Sequence, residues 1–386
     1  MTAPLATTTH YLRPIDASAL AGNFRVFAEA DCVAEPLYAA LSRAIANDAD
    51  ILGLLMRAPY RQRRPVLLFA AVHDLLLAGV AHPLAAFYRS VTFQPAIEKD
   101  VAQAFPVFRN FCATHRDALA EQIASRTTQT NETGRTAGLA LALAGLDSSQ
   151  PVALVDVGCS AGLNLLVDRF RFEYQTSSGV SHHIGCADAK VAIVCRLEGS
   201  RLPPPALYAA VPPKIAGRIG LDLAPLDVSR DIDARWLRAC VWPSETVRKE
   251  RLDNAIDEAK RASLTLVAGD ADAKLDGVLE TLPASLRPVL FHSWALSYFD
   301  QAARLRFAKQ MRELVAERDA VWISAESAGV VPGLAAPLPP DGASAARREA
   351  TLWHLTTRDT HGVPQTRPLA RSHPHCAWIE WLDERA

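Results

Sequence analysis

The first third of the chain has the hydrophobic spacing of α-helices. Apolar residues, Phe24 and Phe27 among them, recur every three or four positions, which places them on one face of a helix. Pro65 opens a strongly apolar stretch that ends at Gly79, as a buried helix does. No strand pattern occurs in this part of the sequence. We therefore predict an all-helical N-terminal domain over residues 1–135.

Beyond Pro151, short apolar runs rich in β-branched residues alternate with amphipathic segments. This alternation is typical of a parallel sheet with helices on both faces. Two late segments, 351–357 and 375–381, predict a closing antiparallel hairpin. We therefore predict an α/β domain over residues 136–386. Its predicted strands are Ala153–Val157, Gly217–Leu221, Leu264–Ala268, Val289–His292 and Ala320–Ser324.

The composition narrows the possible classes of protein. The 386-residue chain is 49% hydrophobic with a formal net charge of −1 and no long basic run, which argues against a dedicated nucleic-acid binder. Residues 1–14 lack a signal-peptide pattern, and no uninterrupted apolar run reaches membrane-spanning length. The seven cysteines are scattered, so neither a zinc site nor a disulfide framework is indicated. We expect a cytoplasmic protein without nucleic-acid or membrane partners; the sequence does not indicate its oligomeric state.

The most informative segment is PVALVDVGCSAGLN, residues 151–164. A buried strand ends near Asp156 and is followed by a loop of small residues that leads into a predicted helix. Gly158 and Gly162 let the backbone approach a ligand where a Cβ would collide, and a helix N-terminus attracts an anionic group. The pattern predicts a loop that holds a nucleotide-type cofactor. The residues concerned are Asp156, Gly158, Cys159, Ser160, Ala161, Gly162 and Asn164.

Within this segment, V-D-V-G-C-S-A-G resembles the first motif of class I S-adenosylmethionine (SAM) methyltransferases. The resemblance implies SAM as cofactor and a Rossmann-like α/β sheet of seven strands in the order 3-2-1-4-5-7-6. An acid that binds the ribose hydroxyls is expected at the end of the second strand, where Asp222 stands. Asp270 and Ala271 follow the third strand and would face the adenine. His292 ends the fourth strand and is the candidate catalytic residue.

One spacing departs from that pattern. The stretch between Asp156 and Asp222 is longer than the roughly 20 residues usual between a glycine loop and the ribose acid. An insertion must therefore lie between the first helix and the second strand. The role of Asp222 depends on that insertion.

The same loop also matches G-x-S-x-G, the nucleophile elbow of α/β-hydrolases, with Ser160 as the nucleophile. Asp270 and one of His292, His373 or His375 would complete a triad in the expected chain order. However, a hydrolase places its elbow strand after several earlier strands and takes an oxyanion donor from an upstream loop. Here the elbow strand is the first predicted strand. The hydrolase is therefore the less favoured interpretation.

An unusually polar stretch, residues 126–135, precedes the helix that leads to the first strand. Thr130 or Asn131 can simply cap that helix. The alternative is that Asn131, Glu132 and Arg135 fold over the bound cofactor or substrate, since the segment before the first strand does so in class I methyltransferases. Both interpretations stay open.

Three histidines can be interpreted either as structural or as functional residues. His292 follows an apolar strand, where a packed structural histidine is more common than a catalyst, although its place at a strand's carboxyl end favours function. His373 and His375 flank Pro374, but without a third ligand at diagnostic spacing we predict no metal site. Structural or substrate-side roles are expected for this pair.

Six segments, taken together, carry a resemblance to a known family: residues 126–135, 157–165, 220–228, 241–243, 291–293 and 372–375. On these segments the chain resembles an uncharacterised bacterial family, the domain-of-unknown-function family 2332 (DUF2332). The resemblance covers nearly the whole length and implies no established reaction. The expected function is SAM-dependent methyl transfer to a small molecule, with the helical domain forming the acceptor pocket. The alternatives are SAM or nucleotide binding without turnover, and the Ser160 hydrolase.

Overall fold

The computed structural model describes residues 16–92, 101–335 and 350–384. Residues 1–14, which lack a signal-peptide pattern, lie outside these ranges. The chain divides into a helical unit, Met1–Thr130 with Ser229–Asp253, and a sheet unit, Asn131–Val228 with Asn254–Ala386. The described ranges contain no helix that is both long and apolar enough to cross a bilayer.

Proline residues and side-chain caps mark the starts of several helices. Pro36 and Pro65 stand in the first turn of their helices, where the missing N–H costs nothing. Asp48 and Asp300 accept hydrogen bonds from backbone N–H groups in the first turns of theirs. The α-helices are α1 (Ala17–Val26), α2 (Pro36–Ile45), α3 (Ala49–Leu55), α4 (Pro65–Leu77), α5 (Ala104–Thr114), α6 (Arg116–Ser125), α7 (Thr136–Ala144), α8 (Pro205–Ala209), α9 (Asp231–Ala239), α10 (Thr246–Lys260), α11 (Ala271–Glu280) and α12 (Gln301–Arg318).

The helical unit is built around stacked aromatic rings and the buried carboxylate of Asp74. The rings of Tyr38 and Phe69 stack with centroids 4.1 Å apart. Asp74 on α4 accepts from Arg235 on α9 at 2.9 Å and from Gln122 on α6 at 2.8 Å. This ion-paired cluster joins the segment after Ser229 to helices that precede it by more than a hundred residues, because a buried carboxylate needs such partners.

The described residues of the sheet unit form a single mixed sheet of eleven strands, and the expected α/β class is confirmed. The spatial order of the strands is β3-β2-β4-β11-β10-β9-β8-β7-β1-β5-β6. The strands are β1 (Val152–Val157), β2 (Arg171–Gln175), β3 (Ser181–Gly185), β4 (Ala192–Glu198), β5 (Ile215–Asp222), β6 (Thr265–Ala268), β7 (Arg287–Ser293), β8 (Val321–Ser327), β9 (Thr351–Arg358), β10 (Pro364–Ser372) and β11 (Trp378–Trp381).

Strand direction decides which loops meet. β5, β6, β7 and β8 run parallel to β1, directly or through a neighbour. β10 also runs in this direction, because β9 is antiparallel both to β8 and to β10. The ends of these six strands therefore meet at one side of the sheet, which we name the carboxyl edge. Its residues are Val157, Asp222, Ala268, Ser293, Ser327 and Ser372.

The predicted seven-stranded order 3-2-1-4-5-7-6 is not confirmed. The five strands predicted after Pro151 are present, in the order β6-β5-β1-β7-β8. Beyond β8, however, β9, β10 and β11 follow one another as antiparallel neighbours. Antiparallel neighbours need only a short connection, such as the turn between Asp359 and Val363 that joins β9 to β10. At this end of the sheet, the spatial order of β8, β9, β10 and β11 therefore follows their order in the chain.

Two parts of the sheet differ from the predicted strands. The insertion expected before Asp222 is present and contains β2, β3 and β4, which extend the sheet beyond β11. The predicted pairing of residues 351–357 with 375–381 is wrong, since β9 pairs with β10 and β11 pairs with β10 and β4. Two prolines and several polar residues in β10 hide its strand character, because proline and polar residues are untypical of interior strands.

Neighbouring side chains on β7 show the two covered faces of the sheet. Leu290 belongs to a buried cluster with Leu275 of α11 and Phe307 of α12. Phe291, the next residue, stacks on Trp353 at 6.2 Å between centroids. Alternate residues of a strand point to opposite faces, so both faces are buried. Such a doubly covered sheet leaves its carboxyl edge as the place where loops and ligands meet.

Candidate functional site

The chain reverses its direction of travel across the sheet at β1. After the inserted strands β2, β3 and β4, the chain passes to β5 and β6 on one side of β1 and then to β7 and β8 on the other side. In open α/β sheets, ligands bind outside the carboxyl ends of the strands at such a reversal. The candidate site therefore lies at the ends of β1, β5 and β7.

The loop after β1 is a sharp turn whose N–H groups bond within the protein. Gly158 and Ser160 have φ angles of 81° and 54°. The backbone N–H groups of Gly158 and Cys159 donate to the Leu221 carbonyl at 2.7 and 3.2 Å. The Gly162 N–H donates to the Cys159 carbonyl at 2.8 Å. The loop is thus anchored to the end of β5, and these three N–H groups are already used.

Both glycines of this loop approach protein atoms closely. A Cβ on Gly158 would lie 2.5 Å from the Cβ of Ala295, and one on Gly162 would lie 2.9 Å from Leu266. The predicted helix after the loop is a 3-10 helix, Leu163–Arg169, with non-helical angles at Leu166. Its dipole is short, so anion binding at its start is not supported.

Asp222 stands directly beside this loop. It ends β5, the strand that pairs with β1, and its Oδ2 accepts from the Ser160 N–H at 2.8 Å. Its Oδ1 accepts from the Ala224 N–H at 2.9 Å. Each carboxylate oxygen can accept a second hydrogen bond. Asp222 reaches the loop despite its long separation from Asp156 in sequence, because the intervening strands β2, β3 and β4 lie at the far side of the sheet.

Asp156 is a buried carboxyl group close to Asp222. Only 2% of its surface is exposed, and its Oδ2 has no hydrogen-bond partner. The pKa of Asp156 is raised to about 8, chiefly by burial and then by the Asp222 carboxylate, while the Arg135 guanidinium opposes the rise. Asp156 is therefore mainly protonated at neutral pH. A bound cation would favour its ionised form.

Three more oxygens of the β1 loop and its flanks lack hydrogen-bond partners. They are Ser160 Oγ, Asn164 Oδ1 and Asn131 Oδ1. Ser160 and Asn164 are both more than nine-tenths buried. Buried polar atoms in native proteins are normally bonded to protein, water or ligand. Carbonyl and carboxyl oxygens accept hydrogen bonds, so this group of atoms suits a ligand that carries ammonium or hydroxyl groups.

The segment Asn131–Arg135 connects the loops of the carboxyl edge. The Asn131 side chain donates to the Cys159 carbonyl at 2.6 Å. The Arg135 guanidinium donates to the Pro374 carbonyl at 2.9 Å and to the Ser293 carbonyl at 3.3 Å. It thereby joins the segment to the ends of β7 and β10. A cap alone does not require these longer-range bonds.

Glu132 does have a capping role. Its Oε1 accepts from the Gly134 N–H at 2.7 Å, at the start of the 3-10 helix Thr133–Arg135. The N-cap at this point is therefore Glu132, whereas the capping interpretation named Thr130 or Asn131. Asn131 and Arg135 instead contact the loops after β1, β7 and β10.

Strained backbone is concentrated at this edge. Five non-glycine residues of the described chain have positive φ, and four of them are in loops at the carboxyl edge; the fifth, Asp319, ends α12. Positive φ is a genuine outlier for a residue as bulky as tryptophan. Such strain, of order 1–3 kcal/mol per residue, is typical of functional sites. The four residues are Asn131, Ser160, Trp294 and Cys376.

The contacts of His292 favour the structural interpretation. Its Nδ1 lies 2.9 Å from Glu326 Oε1, and its Nε2 accepts from the indole N–H of Trp322 at 3.0 Å. Since the indole is a donor only, Nε2 must be unprotonated and Nδ1–H must face Glu326. Both ring nitrogens are thus used in a buried site. A catalytic role for His292 stays a prediction that this geometry does not support.

Glu326, which lies just past the fifth predicted strand, positions the loop after β7. Besides His292, its Oε1 accepts from the backbone N–H groups of Ala295 and Leu296 at 2.9 and 3.1 Å. Ala295 is the residue that packs against Gly158. In the sequence, the only sign of this role of Glu326 is its position just after the fifth predicted strand.

Asp270 and Ala271 lie where β6 meets α11. The Asp270 side chain accepts from the Asp272 N–H at 3.0 Å and so caps α11. Ala271 is buried, and the Gly269 N–H donates to the Asp222 carbonyl at 2.9 Å. The loop after β6 therefore reaches the neighbourhood of Asp222, although the Asp270 carboxylate itself is occupied by a cap.

The features required of a hydrolase or a metal site are only partly present. Ser160 has the positive φ of a strained elbow. Its Oγ has no hydrogen-bond partner, so no histidine of the described chain bonds to it. Across the ranges that the structure describes, no group of three or more histidine, cysteine, aspartate or glutamate residues could hold a metal ion.

The family was identified by comparison with known proteins. No curated protein matches the chain. The family model described as "Uncharacterized protein conserved in bacteria (DUF2332)" matches residues 21–381. That range includes most of the helical unit, the whole sheet and every residue of the candidate site. The chain therefore belongs to the bacterial DUF2332 family.

Proposed function

We propose that the protein binds SAM at the carboxyl edge and transfers its methyl group to a small-molecule acceptor. The observation that carries this proposal is the position of Asp222. It ends the strand beside β1, and its carboxylate reaches the loop that follows β1. This is the arrangement in which Rossmann-like folds hold a ribose. The partial strand order β6-β5-β1-β7-β8 also corresponds to 3-2-1-4-5.

The chemistry of the site fits this ligand. SAM carries an ammonium group, a sulfonium centre and ribose hydroxyls, all of which favour acceptor oxygens. Unpartnered acceptors are present on Asp156, Asn164 and Asn131. We assign the ribose hydroxyls to Asp222 and the cationic groups to Asp156 and the two asparagines. Ala271 would lie against the adenine, as the methyltransferase resemblance implies.

When bound, SAM supplies a methyl group already activated for displacement. The protein therefore has to align the acceptor with this methyl group, exclude water and take up any proton that the acceptor loses. Arg135 contributes to alignment because it holds the loops after β7 and β10 together. Asp156 contributes charge, since its ionised form is favoured next to a cation.

Calorimetry with SAM and S-adenosylhomocysteine tests the binding step, with NAD as a comparison nucleotide. The expected result is saturable binding of both SAM compounds and no binding of NAD. Transfer is tested by incubating the protein with tritiated-methyl SAM and a protein-free bacterial metabolite extract. SAM binding without transfer would favour the alternative of a binding protein without turnover.

A second candidate function is the serine hydrolase. The observation in its favour is the positive φ of Ser160 within Gly-Cys-Ser-Ala-Gly, as in a nucleophile elbow. Acyl transfer would also need a base bonded to Ser160 and a second oxyanion donor. In the described chain Ser160 Oγ has no such base. We therefore favour methyl transfer.

A further inference from the structure

A histidine and a buried carboxylate face each other at the carboxyl edge. Nδ1 of His375 lies 3.8 Å from Oε2 of Glu132. The Glu132 side chain is 1% exposed, whereas the His375 side chain is 35% exposed. At 3.8 Å the two groups are an ion pair when the histidine is protonated, and they are too far apart for a good hydrogen bond. The partly exposed imidazole ring of His375 thus lies beside the buried carboxyl group of Glu132.

The position of His375 connects it to the proposed site. Pro374, its chain neighbour, accepts a hydrogen bond from Arg135, which also donates to Ser293 at the end of β7. Glu132 follows Asn131, whose side chain bonds to the loop after β1. His375 therefore belongs to the same group of connected loops as Asp156 and Asp222.

The other two histidines near this edge use ring nitrogens in hydrogen bonds within the protein. Both ring nitrogens of His292 bond to Trp322 and Glu326. The Nδ1 of His373 accepts from the His375 N–H at 3.0 Å, and burial lowers the pKa of His373 although Glu132 opposes this. The ring centroids of His373 and His375 are 5.6 Å apart.

We infer that His375, oriented by Glu132, is the general base that takes the acceptor's proton, and hence that the acceptor carries an O–H or N–H group. This inference rests on the proposed function. In the transfer, a lone pair of the acceptor oxygen or nitrogen forms the new bond to the methyl carbon as the carbon–sulfur bond breaks. The electron pair of that bond stays on sulfur, and the acceptor's proton passes to the ring nitrogen of His375 that does not face Glu132.

Glu132 acts as a positioning residue in this arrangement. Its carboxylate lies 3.8 Å from Nδ1 of His375 and stabilises, by its charge, the imidazolium that forms. The other oxygen of Glu132 stays bonded to Gly134. Glu132→Gln keeps a carbonyl oxygen for that cap and removes only the charge, so it separates the two roles.

The test compares His375→Gln and Glu132→Gln with His361→Gln, a matched control in the exposed turn before β10. Methyl transfer from tritiated-methyl SAM to the metabolite extract is measured from pH 6 to 9, and SAM affinity is measured by calorimetry. We expect His375→Gln to slow transfer about 100-fold or more with unchanged SAM affinity. Glu132→Gln should slow transfer less and shift the pH profile, and His361→Gln should do neither.

A second readout does not depend on turnover. Diethyl pyrocarbonate should modify His375 in the free protein, as located by peptide mass spectrometry, and the metabolite extract without SAM should protect it. Transfer at the wild-type rate by His375→Gln, or absence of protection, would overturn the inference while leaving the proposed function intact. Absence of SAM binding would overturn both. SAM binding without any transfer would overturn both the proposed methyl transfer and the role of His375 as general base. The proposed SAM-binding site would be retained.

Discussion

Gly158 and Ala295 lie so close that a Cβ on the glycine would come within 2.5 Å of the alanine Cβ. The glycine also has a φ of 81°, which side chains rarely adopt. The close approach therefore holds the loop after β1 against the loop after β7. Glycine at this position allows two protein loops to contact each other, in addition to any approach of the backbone to a ligand.

We predict that Gly158→Ala lowers the free energy of unfolding by about 2–4 kcal/mol, from backbone strain and overpacking together. Adding Ala295→Gly should recover the overpacking part and leave the strain. Urea unfolding of the two single variants and the double variant measures this coupling. Strict additivity of the three values would show that the two loops do not touch.

Replacing Asp222 should weaken SAM binding. Loss of its charge-assisted hydrogen bonds predicts a cost of about 1.5–3 kcal/mol for Asp222→Ala, measured by calorimetry. Asp359→Ala is a matched control, because Asp359 also accepts from two backbone N–H groups, those of His361 and Val363. Equal SAM affinity in both variants would remove Asp222 from the ribose site.

Asp156 should make stability depend on pH. Its pKa in the folded protein is raised to about 8, so the folded state binds more protons than the unfolded state between about pH 4 and 8. Its contribution is fully present below pH 4 and is lost as the pH rises towards 8. Asp156→Asn should therefore flatten the fall in stability over this range, measured by urea unfolding at several pH values. Asp276→Asn, an exposed control on α11, should leave that fall unchanged.

Ser160→Ala separates the two candidate functions. Because Ser160 Oγ can give SAM no more than one neutral hydrogen bond, its removal should weaken SAM binding by no more than about 1.5 kcal/mol. A fluorophosphonate probe should label neither the wild type nor the variant. Stoichiometric labelling of the wild type that persists in Ser149→Ala but disappears in Ser160→Ala would establish the hydrolase instead.

Gly138 on α7 should tolerate no side chain, because a Cβ there would overlap the ring of Trp353. We predict that Gly138→Ala destabilises the fold by about 1–3 kcal/mol. Gly277→Ala on α11 meets no atom within 4 Å and should stabilise by about 0.5–1 kcal/mol through helix propensity. Thermal and urea unfolding of both variants gives the comparison. Equal effects would mean that α7 does not pack on β9.

The sequence by itself determined the elements whose signal is local. The apolar run of β1, the small residues from Gly158 to Gly162 and the next four strands of the parallel series are recognisable without partners. Each depends on the spacing of neighbouring residues and on backbone freedom at glycine. The identity of the family also follows from such local segments, taken together.

Tertiary structure alone decided which side chains meet. The partners of His292, the pairing of Glu132 with His375 and the contact of Asp222 with Ser160 all join residues far apart in sequence. The order of β9, β10 and β11 was likewise decided by strand pairing, which local hydrophobic patterns do not encode. Burial then gave these groups their chemistry, because a carboxyl group such as Asp156 acquires its raised pKa only where the folded chain excludes water.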